Sequence, residues 1–160
     1  MAEITAFKQE CQEHGSGMDG TGILVSCDAR EWLCYIDRME NRGTPEGLHC
    51  LQYGLFREGD GRLLGLLQIR LELMGYLVNF GGQIGYCVRP SERRKGYAVK
   101  MLRLALDICR DNGLEKVLVT CLEDNVGSAK TIEACGGVFE RIVYDDQNYK
   151  ENMKRYWITL

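Results

Sequence analysis

The sequence has few of the residues that bind structural metals and no segment long enough to cross a membrane. Only two of its 160 residues are histidine, and its eight cysteines form no C-x-x-C pair. A structural zinc site needs closely spaced ligand pairs, so we expect no metal. The cysteines are expected to be reduced and to act as small hydrophobic residues. The apolar stretch 63–67 is interrupted by Gly65 and is far shorter than the ~20 residues of a membrane span.

The chain also lacks an excess of positive charge. Its 20 lysines and arginines stand against 23 acidic residues, for a net charge of -3. Such a protein has no overall basic field to attract nucleic acid or an anionic membrane. The segment MAEITAFKQE has neither the basic nor the apolar region of a signal peptide. We therefore expect a cytoplasmic protein with no nucleic-acid or membrane partner.

The length and hydrophobic content are those of one folded unit. With 45% hydrophobic and 27% charged residues, the chain is expected to form a single domain over residues 1–160. Periodicity and turn signals predict the order α-α-β-β-β-α-β-α-β-β. The helices are predicted over 2–13, from Asp28 to about 41, over 98–109 and after Asn125; the strands over 49–57, 62–71, 83–88, 116–121, 138–144 and 153–160.

The strand-helix-strand unit at 83–121 determines the expected topology. Its strands should pair in parallel through a right-handed crossover, with antiparallel hairpins on either side. The fold class is therefore α/β, with a mixed, mostly antiparallel sheet, a central parallel β-α-β unit and helices on both faces. Residues 14–26 are interpreted as a glycine-rich loop, and the form of 72–81 is left open.

The segment between the third strand and the next helix has the composition of an anion site. It reads VRPSERRKGYA from Val88 to Ala98. A helix start has backbone N–H groups without intrahelical partners and a partial positive charge. Gly96 lets a ligand approach the backbone closely, and three basic residues at 93–95 add charge. The pattern predicts a site for phosphate or pyrophosphate, although a charged, solvated helix start fits the same residues.

The spacing of these residues resembles the pyrophosphate-binding motif of the GNAT superfamily of N-acetyltransferases, Q/R-x-x-G-x-G/A. Arg93, Gly96 and Ala98 match it, with Val88 and Pro90 at the usual distances upstream. The order of elements also matches: the motif follows a strand and is itself followed by a helix, a second strand at 116–121 and a helix that begins after Asn125. The resemblance covers residues 62–160 and is greatest to a group of small bacterial acetyltransferases.

The resemblance implies the GNAT fold and acetyl-CoA as acyl donor. In that family the two central strands splay apart, and the pantetheine arm of acetyl-CoA enters the gap. The backbone amides of residues 94–98 would hold the pyrophosphate, and the Val88 amide would polarise the thioester carbonyl. Asn125 would bond CoA, with Ser128 nearby, although Asn125 is also a good helix cap. The implied acetyl-CoA-binding residues are Val88, Arg93, Arg94, Lys95, Gly96, Tyr97, Ala98, Asn125 and Ser128.

Two positions depart from the family pattern. Ile132 stands where many members have a tyrosine that acts as general acid, and Gln83 stands where many have a glutamate base. No catalytic acid or base is therefore assigned. Glu123 is interpreted as a loop-end residue rather than a base, and Tyr86 and Tyr156 as packing residues.

The expected function is transfer of an acetyl group from acetyl-CoA to a primary amine of a small molecule or peptide. The acceptor site should involve the first two helices, the glycine-rich loop and the final hairpin. One alternative is a non-catalytic acyl-CoA-binding protein or sensor, because the usual titrating groups are missing. Another is a phosphate-binding module that uses a different nucleotide. If strand 49–57 is the edge of the sheet, it could pair with a second chain, which makes a homodimer plausible.

Overall fold

The computed structural model describes residues 1–160, with four α-helices and six β-strands in the predicted order. None of the helices combines the length and the apolar character that crossing a membrane requires. The helices are α1 (Ala2–Glu13), α2 (Ala29–Asn41), α3 (Tyr97–Asp111) and α4 (Val126–Ala134); the strands are β1 (Cys50–Phe56), β2 (Leu63–Arg70), β3 (Ile84–Val88), β4 (Lys116–Leu122), β5 (Val138–Tyr144) and β6 (Asn152–Thr159).

The strands form two three-stranded antiparallel sheets, in the orders β1-β2-β3 and β4-β6-β5. The first carries the predicted hairpin and has β1 at its outer edge. The final two strands also pair as a hairpin. The segment 72–81, whose form the sequence left open, contains a single π-helical turn at Leu77–Gly81.

The two sheets meet at the central unit, where β3 and β4 separate. The Gln83 N–H donates to Leu118 O at 2.8 Å, and the Leu118 N–H donates to Gln83 Oε1 at 2.8 Å. No ladder continues beyond this point, since the strands belong to different sheets. The prediction that these two strands pair in parallel along their length is therefore wrong, because only Gln83 and Leu118 join them. Further along β3, Tyr86 extends to α4, where its hydroxyl lies 2.9 Å from Ser128 Oγ.

The core has two parts. The larger cluster packs α3 and α4 against strands of both sheets, and includes the fully buried Leu102 and Ile132. The smaller one packs α1 and α2 on the first sheet around Phe7 and Trp32. Five of the eight cysteines are buried, which agrees with their interpretation as small hydrophobic residues.

The predicted capping signal starts α2 as expected. Asp28 accepts hydrogen bonds from the N–H groups of Arg30 and Glu31 at 2.8 Å, and Glu31 accepts one from the Asp28 N–H. Further along the helix, the Trp32 indole N–H donates to Thr21 O at 2.7 Å. This bond ties the glycine-rich loop to α2.

A buried ion pair fixes α1 to the segment that follows β3. Arg89 lies 2.7 Å from a Glu10 carboxylate oxygen and 3.0 Å from one of Glu3. Glu10 also accepts a hydrogen bond from the Ser91 N–H at 2.8 Å. Burial acts to raise the pKa of the Glu10 carboxyl, but the bonds from Ser91 and Arg89 outweigh it and lower that pKa to about 2. The start of the predicted anion site is therefore held rigidly against α1.

Candidate functional site

A cavity of about 870 Å³ occupies the gap between β3 and β4. Its volume falls within the range of small-molecule binding sites. The glycine-rich loop forms part of its wall, because Gly20 packs directly on the backbone of β3. A Cβ on Gly20 would lie 2.0 Å from Gly85 O, so only glycine permits this contact. Eight of the nine residues implied to bind acetyl-CoA line the cavity, and Lys95 alone does not.

The start of α3 forms an open turn at one end of the cavity, which we call the anion turn (residues 93–98). Gly96 is the N-cap of α3, with φ of 82°, and no side chain caps the helix. A Cβ built on Gly96 would meet no atom within 4 Å, so the space in front of the turn is free. Uncapped amides at a helix N-terminus favour an anion. The geometry of the anion turn therefore fits a phosphate or pyrophosphate group.

The three basic residues of the anion turn have different surroundings. The Arg93 side chain folds back, so that its Nε donates to Val88 O at 3.1 Å and its Nη2 donates to Ser16 Oγ. Lys95 Nζ lies 2.8 Å from a Glu92 carboxylate oxygen. Arg94 is exposed and makes no salt bridge or side-chain hydrogen bond within the protein. The charge available to a ligand is thus smaller than the sequence indicates.

The backbone N–H of Val88 points into the gap. At the two ends of β3, the Arg70 N–H donates to Gln83 O and the Arg89 N–H donates to Leu64 O, both at 2.8 Å. Residues of an antiparallel pair alternate between bonded and non-bonded positions. The odd-numbered residues 83–89 therefore bond to β2, whereas the N–H of Val88 faces the cavity and its carbonyl oxygen accepts from Arg93. An N–H in this position can stabilise negative charge on an oxygen in the gap.

Asn125 and Ser128 lie on the far side of the cavity, at the start of α4. Asn125 Oδ1 accepts a hydrogen bond from the Ser128 N–H at 3.0 Å, so Asn125 does cap the helix. The Ser128 hydroxyl is bonded to the Tyr86 hydroxyl. Both residues still line the cavity, and their role toward CoA stays a prediction.

The positions where many relatives have an acid and a base offer neither here. Ile132 is fully buried in the core. Gln83 is buried, does not line the cavity, and joins the start of β3 to Leu118 through its side chain. Glu123 lies outside the cavity and accepts a hydrogen bond from Asn152 at 2.8 Å. Burial raises the pKa of Tyr86, whose hydroxyl lies beside that of Ser128, to about 12.

The other end of the cavity is lined by four polar residues that sequence reasoning did not single out. They are Asp19, Arg70, Tyr76 and Tyr149. The Tyr149 hydroxyl donates to Asp19 Oδ1 at 2.8 Å, which joins the final hairpin to the glycine-rich loop. The Tyr76 hydroxyl donates to the buried Asp145 at 2.6 Å. Asp19 and Tyr149 belong to the glycine-rich loop and the final hairpin, which the sequence predicted for an acceptor site, whereas Arg70 ends β2 and Tyr76 lies in the segment 72–81.

Comparison with known proteins decides the family. A family model described as "Acetyltransferase (GNAT) domain" matches residues 18–138, more than half of the chain. The chain belongs to the GNAT acetyltransferase family. The alternative of a phosphate-binding module unrelated to acetyl-CoA is thereby set aside. No curated protein matches the chain in sequence.

Solved structures of GNAT proteins share the fold. A mutant of the spermidine N-acetyltransferase SpeG from Vibrio cholerae matches with a TM-score of 0.70 and 14% identity, covering 99% of this chain and 90% of its own. RimJ from Mycobacterium smegmatis, in complex with CoA-disulfide, matches with a TM-score of 0.71 and 20% identity, covering 99% and 78%. These likenesses confirm the predicted fold class.

Proposed function

We propose that this GNAT protein transfers the acetyl group of acetyl-CoA to a primary amine of a small molecule or peptide. The observation that carries the proposal is the uncapped, open anion turn beside the gap between β3 and β4. An acyl-CoA needs both features, because its pyrophosphate is anionic and its pantetheine arm is long and narrow. The residues at both places fit such a ligand.

The donor would be held mainly by backbone groups. The amides of residues 94–98 would bind the pyrophosphate, supported by the exposed Arg94 side chain. Arg93 would act through its contacts with Val88 and Ser16, which keep the turn in place. Asn125 and Ser128 would border the pantetheine arm from the α4 side.

The chemistry needs positioning and charge stabilisation more than proton transfer by a side chain. The amine nitrogen attacks the thioester carbon, a C–N bond forms, the C–S bond breaks, and CoA leaves as a thiolate. The proton that the nitrogen gives up as it becomes an amide passes to this thiolate or to solvent. The Val88 N–H would stabilise the charge on the carbonyl oxygen during attack. An alkylamine with a pKa near ~10.4 must first lose a proton, which water in the open cavity can accept. Holding both reactants in one gap supplies much of the remaining rate.

Three further expectations belong to the proposal. They are a single domain over residues 1–160, a cytoplasmic location, and a homodimer formed through the outer edge of β1. Size measurement by light scattering would test the last of these.

Turnover with a panel of amines tests the function. Release of free thiol from acetyl-CoA should depend on both the protein and an amine, and mass spectrometry should identify the acetylated product. Calorimetric titration with CoA, with ATP as competitor, reports donor binding separately. Tight CoA binding without turnover on any amine would favour the non-catalytic acyl-CoA-binding alternative.

A further inference from the structure

Arg70, the last residue of β2, is the one sheltered arginine without a carboxylate partner. Five arginines are partly or fully buried, and four of them form salt bridges, namely Arg57, Arg62, Arg89 and Arg155. Arg70 instead donates through Nη1 to the carbonyl oxygens of Gly81 and Gly82 at 3.3 and 3.4 Å. Its Nε and Nη2 have no acceptor within the protein. Arg70 also lines the cavity.

Burying a guanidinium charge costs free energy unless an anion or hydrogen-bond acceptors lie against it. Burial lowers the pKa of the Arg70 guanidinium below its ordinary value. Burial acts in the same direction on Arg89, but there the bonds to Glu10 and Glu3 outweigh it and raise the pKa. Asp19 acts on Arg70 through its charge but forms no salt bridge with it, so Arg70 lacks the directly bound carboxylate that the other four arginines have.

The free side of the guanidinium is suited to a planar anion. Nη1 is fixed by two carbonyl oxygens, so the side chain is held in one orientation. The two unused nitrogens, Nε and Nη2, present parallel donors, the arrangement that binds a carboxylate through both oxygens. A lysine could not offer this geometry.

The charges around the cavity argue against an acceptor that is only cationic. Its lining contains two carboxylates, Asp19 and Glu92. Glu92 is already paired with Lys95 at 2.8 Å and Arg57 at 3.2 Å. That leaves Asp19 and Arg70, one group of each sign, at the end away from the anion turn. Such a pair matches an acceptor that carries both an ammonium and a carboxylate group.

We propose that Arg70 binds a carboxylate of the acceptor, so that the acceptor is an amino acid or another amine that carries a carboxylate. The inference rests on the proposed acetyltransferase function and specifies its substrate class. The acceptor carboxylate would take the two free donors of Arg70. Asp19, held by Tyr149, would attract the ammonium group before it is deprotonated.

Matched pairs of acceptors that differ only by the carboxylate test this proposal. Ornithine and putrescine, lysine and cadaverine, and arginine and agmatine form such pairs. We expect kcat/KM to favour the carboxylate member by at least about tenfold. The variant Arg70→Gln should lose this preference, and Arg70→Lys should retain part of it because the charge remains. Arg30→Gln, which removes an exposed arginine on α2 away from the cavity, should keep the full preference.

Binding measurements separate failure of the proposal from failure of the function. Ornithine and putrescine are titrated into the protein saturated with CoA, which needs no turnover. Preferential binding of ornithine that Arg70→Gln abolishes supports the proposal even when no acetylation occurs. Equal binding of both, or a preference that a folded Arg70→Gln variant keeps, overturns the proposal and leaves the function intact. If CoA itself does not bind, the proposed function fails.

Two further outcomes complete the test. A clear preference for O-phosphoethanolamine over every carboxylate would mean that Arg70 binds phosphate, and would overturn the carboxylate class. Thermal unfolding will show whether Arg70→Gln folds. If it does not, the proposal is tested on the unmodified protein alone, by comparing the two members of each acceptor pair. There, absence of a carboxylate preference, or no binding of any pair member while CoA binds, overturns the proposal.

Discussion

The anion turn can be tested at Gly96, because the effect on folding and the effect on the ligand are separable there. The residue has φ of 82°, and a Cβ at this position would meet no atom within 4 Å. The substitution Gly96→Ala therefore creates no clash in the free protein. Its Cβ would, however, project into the space in front of the α3 amides, where we place the pyrophosphate.

The two effects have different expected sizes. A left-handed backbone costs a non-glycine residue about 1–2 kcal/mol, so the free energy of unfolding should fall by that amount. For a chain of this length the melting temperature should fall by about 2–8 °C. CoA should bind at least about tenfold more weakly, which corresponds to about 1.4 kcal/mol. Gly96→Val would add the strain of a β-branched residue at positive φ, so alanine is the cleaner change.

Gly113 provides a matched control on the same helix. It follows the C-terminal end of α3, has φ of 80°, and also has no atom within 4 Å of an added Cβ. Gly113→Ala should therefore cost similar stability without affecting CoA. Thermal unfolding without ligand and calorimetric titration with CoA measure the two quantities. Equal CoA affinity in the two folded variants would refute the placement of the pyrophosphate at the anion turn.

Three other substitutions test the surroundings of the site. Glu10→Gln should lower the free energy of unfolding at pH 7 by up to about 3 kcal/mol, because the carboxyl pKa is about 2 rather than 4.5 and each unit is worth about 1.36 kcal/mol. This difference should shrink as the pH falls from 4.5 to 2, which urea unfolding at stepped pH would show. Gln83→Ala should cost about 1–3 kcal/mol in the same assay, since it leaves the buried Leu118 N–H unpaired, and a loss of rate without a loss of stability would contradict this. Tyr86→Phe should lower kcat by less than ~100-fold, because a hydroxyl with a pKa of about 12 is a poor donor to a thiolate whose reference pKa is ~8.5; a larger loss together with a vanished limb of the pH–rate profile would identify Tyr86 as an acid.

The sequence was sufficient for features whose signals are local. The capping pair Asp28 and Glu31 started α2, the apolar positions of 98–109 marked α3, and the turn at 58–61 joined two strands, all as observed. Caps, helical periodicity and tight turns depend on residues a few positions apart. The anion turn was predicted for the same reason, because its glycine and basic residues are contiguous in the chain.

What only the tertiary structure decided involves contacts between distant parts of the chain. The use of Gln83 as the amide that joins the start of β3 to Leu118, 35 positions further along the chain, was not predicted from the motif. The residues around Arg70 in the sequence do not mark it as a site residue, because it stands out only by having no salt bridge in the folded protein. A salt bridge, or its absence, depends on where folding places side chains that are tens of residues apart. The periodicity and spacing of residues along the chain do not predict that placement.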